Sequence, residues 1–248
     1  MAVINAPAAR LGIILSSGNR TLEPYFRALA PAGLGIHVTR MRMGSGGKRN
    51  QDDIAGAAQA CAELLADAGV DAIDLQGTGI MMERGPKGEA ELVKTLSEAT
   101  ATPVYTATQS VVEAFGALGI NRIAVVNPGD DAAVTRERAY LEAAGITVGG
   151  IVARDLGDAT FEVTPERWAA DAARALAAGT SAEGIFLSGS HTRMVEAIAE
   201  VERATGKPVV TSIQAALWAG LRRLSPKLGP RLGYGTTAPA DLGRLFAL

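Results

Sequence analysis

The sequence is poor in the groups on which much enzyme chemistry depends. It has one cysteine, Cys61, so no disulfide can form within the chain and no cysteine-rich metal site is present. Its two histidines, His37 and His191, lie far apart and lack the spacing of a zinc site. Aromatic residues make up only 4% of the chain, and the basic residues do not cluster, which argues against nucleic acid as a partner. Charge of one sign is missing too. The formal net charge of −2 gives neither nucleic acid nor an anionic membrane an electrostatic hold. No apolar run approaches the ~20 residues of a membrane helix. The opening MAVINAPAARLGIIL has no basic segment leading into a long apolar stretch, so no secretory signal is read there. These absences predict a cytoplasmic protein with no metal or other cofactor, and leave room for a homo-oligomer.

What is present is a repeated alternation. Short apolar runs read as strands: Leu11–Leu15, Gly35–Met41, Val70–Leu75, Pro103–Ala107, Arg122–Val126, Thr147–Ala153, Glu183–Ser188 and Pro208–Ser212. Between them lie Ala-, Leu- and Glu-rich stretches such as QDDIAGAAQACAELLADAG, whose acidic opening suits a helix N-terminus. Strands apolar throughout are buried on both faces, as in parallel sheets covered by helices, so the fold class is α/β. The halves also match each other. TPVYTATQSVVEAFGALG from Thr102 aligns with KPVVTSIQAALWAGLRRLS from Lys207, pairing Gln109 with Gln214. Two copies indicate duplication, not a solenoid. The expected architecture is two similar lobes, each a parallel sheet flanked by helices, with a cleft between them. Residues 1–107 plus 213–248 are assigned to the first lobe and 108–212 to the second. The tail SPKLGPRLGYGTTAPADLGRLFAL reads as loop followed by a short closing element.

Open α/β sheets place their chemistry at the C-terminal ends of strands, so four loops are candidates. In SSGNRTLEPYF, Ser17 and Thr21 are expected helix caps, and Asn19 could offer its amide to an anion. In Gln76-Gly77-Thr78-Gly79, the glycines permit close backbone approach and Thr78 supplies a hydroxyl, a combination suited to an oxyanion. A tight turn alone would need the same glycines. In Asn127-Pro128-Gly129-Asp130-Asp131, the aspartates read as caps more readily than as acid or base. In Ser188-Gly189-Ser190-His191-Thr192-Arg193, His191 is the one side chain of these loops that ordinarily titrates near neutrality. It could move a proton, Ser190 could donate to an oxyanion and Arg193 could hold a carboxylate. The competing reading pairs Arg193 with Glu196 or Glu200. His37 and Cys61 read as structural, and Met81 and Met82 as core.

These motifs resemble the aspartate/glutamate racemase superfamily, and within it the arylmalonate decarboxylase and maleate cis-trans isomerase branch. SSGNRTLEPYF is similar to the isomerase-type opening loop, and QGTGIMMERG to the decarboxylase loop with its oxyanion threonine. GIFLSGSHTRMVEAIAEVERATGKPVVTS is similar to the second catalytic loop, and GYGTTAPADLGRLF to the closing segment with its Gly-x-Gly. The resemblance implies two cysteine positions, occupied here by Gly77 and Gly189, and a tyrosine position occupied by Gly129. It therefore implies a cofactor-independent enzyme acting on a malonate- or maleate-like carboxylate, most readily by decarboxylation. Ser17, Asn19, Gly77, Thr78, Gly79, Asn127, Gly129, Gly189 and Arg193 would bind the substrate, with His191 and Ser190 in the catalytic roles. Racemisation is disfavoured, because it needs an acid or base on each face. A hydrolase or lyase using His191 as base is the alternative enzyme, and a carboxylate-binding protein without turnover is the alternative class.

Overall fold

The computed structural model describes residues 6–42, 51–157, 162–179, 181–234 and 240–248. All eight expected strands form: β1 (Ala9–Ser16), β2 (Leu34–Met41), β3 (Ala72–Leu75), β4 (Val104–Thr106), β5 (Arg122–Asn127), β6 (Thr147–Ala153), β7 (Gly184–Leu187) and β8 (Val209–Thr211). Eight helices alternate with them: α1 (Leu22–Leu29), α2 (Gln51–Asp67), α3 (Thr78–Thr100), α4 (Ala107–Ala117), α5 (Asp131–Ala143), α6 (Pro165–Ala177), α7 (Ile198–Thr205) and α8 (Ser212–Leu228). The strands make two parallel four-stranded sheets, ordered β2-β1-β3-β4 and β6-β5-β7-β8. One order is the other advanced by four, which is the duplication read from the sequence.

The Gln109 and Gln214 match now has a cause. Thr106 and Thr211 are N-caps, and each exchanges hydrogen bonds with the glutamine three residues on, a capping box at the start of α4 and of α8. These two helices pack against each other, and α3 packs on α5. One apolar cluster runs through both sheets, from Leu11, Ile13 and Phe26 to Val125, Phe186 and Leu187, all fully buried. Each such side chain contributes about 1.5–3 kcal/mol relative to exposure. Edge strand β2 is only half-buried for most of its length, unlike the central strands, and holds His37 opposite Gly12 of β1. Cys61, Met81 and Met82 are buried core residues, and burial pushes the Cys61 thiol pKa up.

One expectation is corrected here. The SPKL segment is not loop, since α8 continues through Pro226 to Leu228. Gly235, the second glycine of the closing Gly-x-Gly, lies outside the described residues. Among the described residues, no helix is long and apolar enough to cross a membrane.

Candidate active site

In each sheet the chain reverses its direction of winding between the two central strands, β1 and β3 in one, β5 and β7 in the other. Loops leaving such neighbours diverge and open a crevice at their C-terminal ends. The four loops singled out from the sequence follow these four strands.

The first loop is organised by Asn19, which is buried. Its Oδ1 accepts from the N–H groups of Thr21 and Leu22, both at 3.0 Å. The cap of α1 is thus Asn19, and not the hydroxyls of Ser17 or Thr21 as expected; Thr21 occupies the N-cap without a side-chain cap bond. The Asn19 amide does not point to an open anion site. Nδ2 donates to the Ser190 carbonyl at 2.8 Å, and Thr21 Oγ1 donates to the same oxygen at 3.1 Å. The loop after β1 is therefore fastened to the loop after β7, across the two lobes. Ser17 is exposed, and its N–H donates to the Met41 carbonyl. Arg40 supports the turn from below, donating to the Asn19 carbonyl at 2.7 Å and to Glu23 at 3.0 Å. The Arg27 hydrogen bond, with Arg40 beside it, holds the Glu23 carboxyl below its usual range.

In the second loop Gly77 has φ of 137°, a conformation open in practice only to glycine, and Thr78 opens α3. Gly77 and Thr78 are half-buried and Gly79 is exposed. Beneath them Asp74 is fully buried and accepts from Gln76 Nε2 at 2.6 Å. Burial pushes the Asp74 pKa up to about 7, against the pull of Gln76 and of the Arg223 charge. Asp74 Oδ1 and Gln76 Oε1 are buried and have no hydrogen-bond partner among the described residues.

The third loop begins at a buried side chain and ends at two exposed aspartates. Asn127 is buried, Oδ1 accepts the Gly129 N–H at 2.6 Å, and Nδ2 donates to Glu137 at 2.7 Å. Both ends of the Asn127 amide are thus engaged within the protein. A Cβ at Gly129 would stand 2.7 Å from Ala133 Cβ and 3.0 Å from Asn127 Oδ1, so a larger residue needs the loop to move. Asp130 caps α5 by accepting from the Ala133 N–H at 2.8 Å, as expected.

The fourth loop begins at Ser188, whose hydroxyl donates to Glu137. Gly189 has φ of 105°, and its N–H donates to Ser212 Oγ at 3.1 Å. That N–H is thus already engaged, not open to an oxyanion. His191 is half-buried; burial first, then the nearby positive charge of Arg20, holds its pKa below the ordinary 6.5. Arg193 forms the ion pair of the competing reading. Its side chain is 57% exposed and pairs with Glu196 at 3.4 Å, while its carbonyl accepts from Trp168 Nε1.

Two groups were missed in the sequence. Arg20, in the first loop, is the cation beside His191 of the fourth. Its signal was available, because it is the one basic residue of SSGNRTLEPYF before the helix begins. Glu137 lies under both loops of the second lobe, and its position amid TRERAY gave no sign of burial.

Residues 27–236 match the model of a family described as arylmalonate decarboxylase. The chain is 32% identical over 178 residues to the arylmalonate decarboxylase of Bordetella bronchiseptica, covering 70% of this chain and 73% of that protein. It is 29% identical over 231 residues to a maleate isomerase of Pseudomonas putida, covering 87% and 91%. In three dimensions it resembles a doubly substituted arylmalonate decarboxylase in liganded form, with a TM-score of 0.83 at 26% identity over 96% of this chain and 98% of that one. It also resembles a maleate isomerase variant from Pseudomonas putida S16 with maleate, at 0.80 and 27% over 96% and 97%. The chain belongs to the arylmalonate decarboxylase family.

Proposed function

We propose that the protein is a cofactor-independent enzyme that decarboxylates a small malonate-like dicarboxylate, with His191 delivering the proton. The observation that carries this reading is the seating of the Ser190 carbonyl between Asn19 and Thr21, which brings the His191 loop of one lobe onto the Arg20 loop of the other. A titratable ring and a fixed cation then lie together at the joined ends of β1 and β7. Arg20 takes the role first given to Arg193, attracting one carboxylate of the substrate. Thr78 and the first-turn amides of α3 stabilise the charge that develops on it.

The chemistry balances without a thiol. Heterolysis of the bond from the α-carbon to the second carboxylate releases CO2 and leaves its electron pair as an enediolate on the retained carboxylate. The α-carbon then takes one proton, from the imidazolium of His191 or from water. Because the His191 pKa is held below 6.5, the imidazolium is scarce at neutral pH. Turnover through it declines as pH rises past that lowered value. Gly77 and Gly189 place no acid or base at the two positions where the resemblance implies cysteines, which favours decarboxylation over racemisation.

The test is turnover of phenylmalonate by wild-type protein and by His191→Ala, followed across pH. The expected loss in kcat is about 10²–10⁴-fold, the range of a general acid, with the alkaline decline abolished. Unchanged turnover in His191→Ala would remove the proton-transfer role. Tight binding of malonates without turnover of malonates or maleate would favour the carboxylate-binding alternative.

A further inference from the structure

Glu137 is a fully buried carboxylate with an unusual reach. Among the described residues it accepts from two side chains, Ser188 Oγ and Asn127 Nδ2, and no fixed positive charge is bonded to it. Those partners stand at the C-terminal ends of β7 and β5, where the fourth and third loops begin. Each partner passes the constraint on: Asn127 Oδ1 holds the Gly129 N–H, and Ser188 leads into Gly189, Ser190 and His191. Three residues along α5, Tyr140 donates to buried Glu89 of α3, which also accepts from Thr106. One helix therefore ties both loops of the second lobe and rests on the helix that follows Gly77.

A buried carboxylate without a salt bridge is costly, and it is retained only where its hydrogen bonds repay the desolvation. An apolar residue would serve the core equally well. α1, which follows the first strand of the first lobe as α5 follows the first strand of the second, buries Leu22 and Phe26 and no carboxylate. We propose that Glu137 is a positioning residue: its carboxylate fixes the third loop against the fourth, and so sets where Ser190 and His191 stand. It touches no substrate. The kinetic part of its test rests on the proposed function, whereas the structural part stands independently.

The experiment is amide hydrogen exchange on the full chain, wild type against three variants, with kinetics on phenylmalonate alongside. Glu137→Leu removes both acceptors. It is expected to speed exchange about tenfold or more in residues 126–131 and 186–194, and to lower kcat/KM by about 100-fold, the usual cost of an ångström-scale misplacement. Glu137→Gln can still accept from Asn127 and donate to Ser188, so it is expected to restore most of both. Ser188→Ala is expected to loosen 186–194 alone, and this keeps the test open should the leucine variant fail to fold. Unchanged exchange in both segments of Glu137→Leu, or in 186–194 of Ser188→Ala, overturns the proposal. So does loosening spread evenly through the chain. If wild type turns over no carboxylate, the decarboxylase reading falls and the exchange comparison alone decides the role of Glu137.

Discussion

The loops after β3 and β7 occupy equivalent places in two sheets of the same order, yet they stand on different foundations. Beneath the Gly77 loop lies Asp74, tied to Gln76 two residues away, with Oδ1 and the Gln76 carbonyl left without partners among the described residues. Beneath the Gly189 loop lies Glu137, both oxygens engaged by residues at the ends of two different strands. Burial raises both carboxyls to about 7. One is a local, under-satisfied pair; the other is a long-range clamp. The first foundation can vary with little effect on the rest of the cleft, while the second sets two loops at once. The duplication kept the backbone and let the chemistry under each loop diverge.

The sharpest way to break this contrast is to cut one of the two hydrogen bonds that fasten the first-lobe loop to the Ser190 carbonyl. Asn19→Ala removes the cap of α1 and the hydrogen bond to Ser190 together. Losses of about 1 kcal/mol each predict a melting temperature lower by several degrees. Scanning calorimetry measures this, and the drop should come with a fall in turnover larger than that of any other first-lobe loop variant.

A pH-dependent effect of comparable size separates the two carboxyls. A folded-state pKa raised above the unfolded one means stability is full below the unfolded value and declines as pH rises through the folded one. With Asp74 raised from 3.8 and Glu137 from 4.5, both to about 7, the protein should be more stable near pH 5 than near pH 8. Asp74→Asn mimics the neutral form. It should flatten that dependence by about 2–4 kcal/mol at most, with little change in exchange at 186–194. Melting curves at the two pH values check this.

The smallest expected effect is electrostatic. Arg20→Ala removes the charge that helps to hold the His191 pKa down, so that pKa should rise, observed directly by NMR titration of the imidazole. The alkaline decline in turnover should move up with it, and KM for a dicarboxylate should increase.

Much of this was legible in the sequence because it is local or periodic. Apolar runs marked all eight strands, the matched Gln109 and Gln214 marked the duplication, and strand ends marked the four loops. Pairings across long stretches of chain were not legible. Asn19 meets a carbonyl 171 residues away, Ser188 meets Glu137 across 51, and Tyr140 meets Glu89 across another 51. Nothing in Asn19 itself distinguishes an amide that holds a ligand from one that holds a loop. Arg193 shows the converse: its pairing with Glu196, one turn on, is local and was legible as the competing reading.

The most direct test of the central claim is the fate of phenylmalonate in D2O, followed by NMR. The account predicts loss of CO2 and phenylacetate carrying one solvent deuterium at the α-carbon, formed by wild type and largely lost in His191→Ala. Phenylmalonate left intact while maleate is converted to fumarate would contradict it.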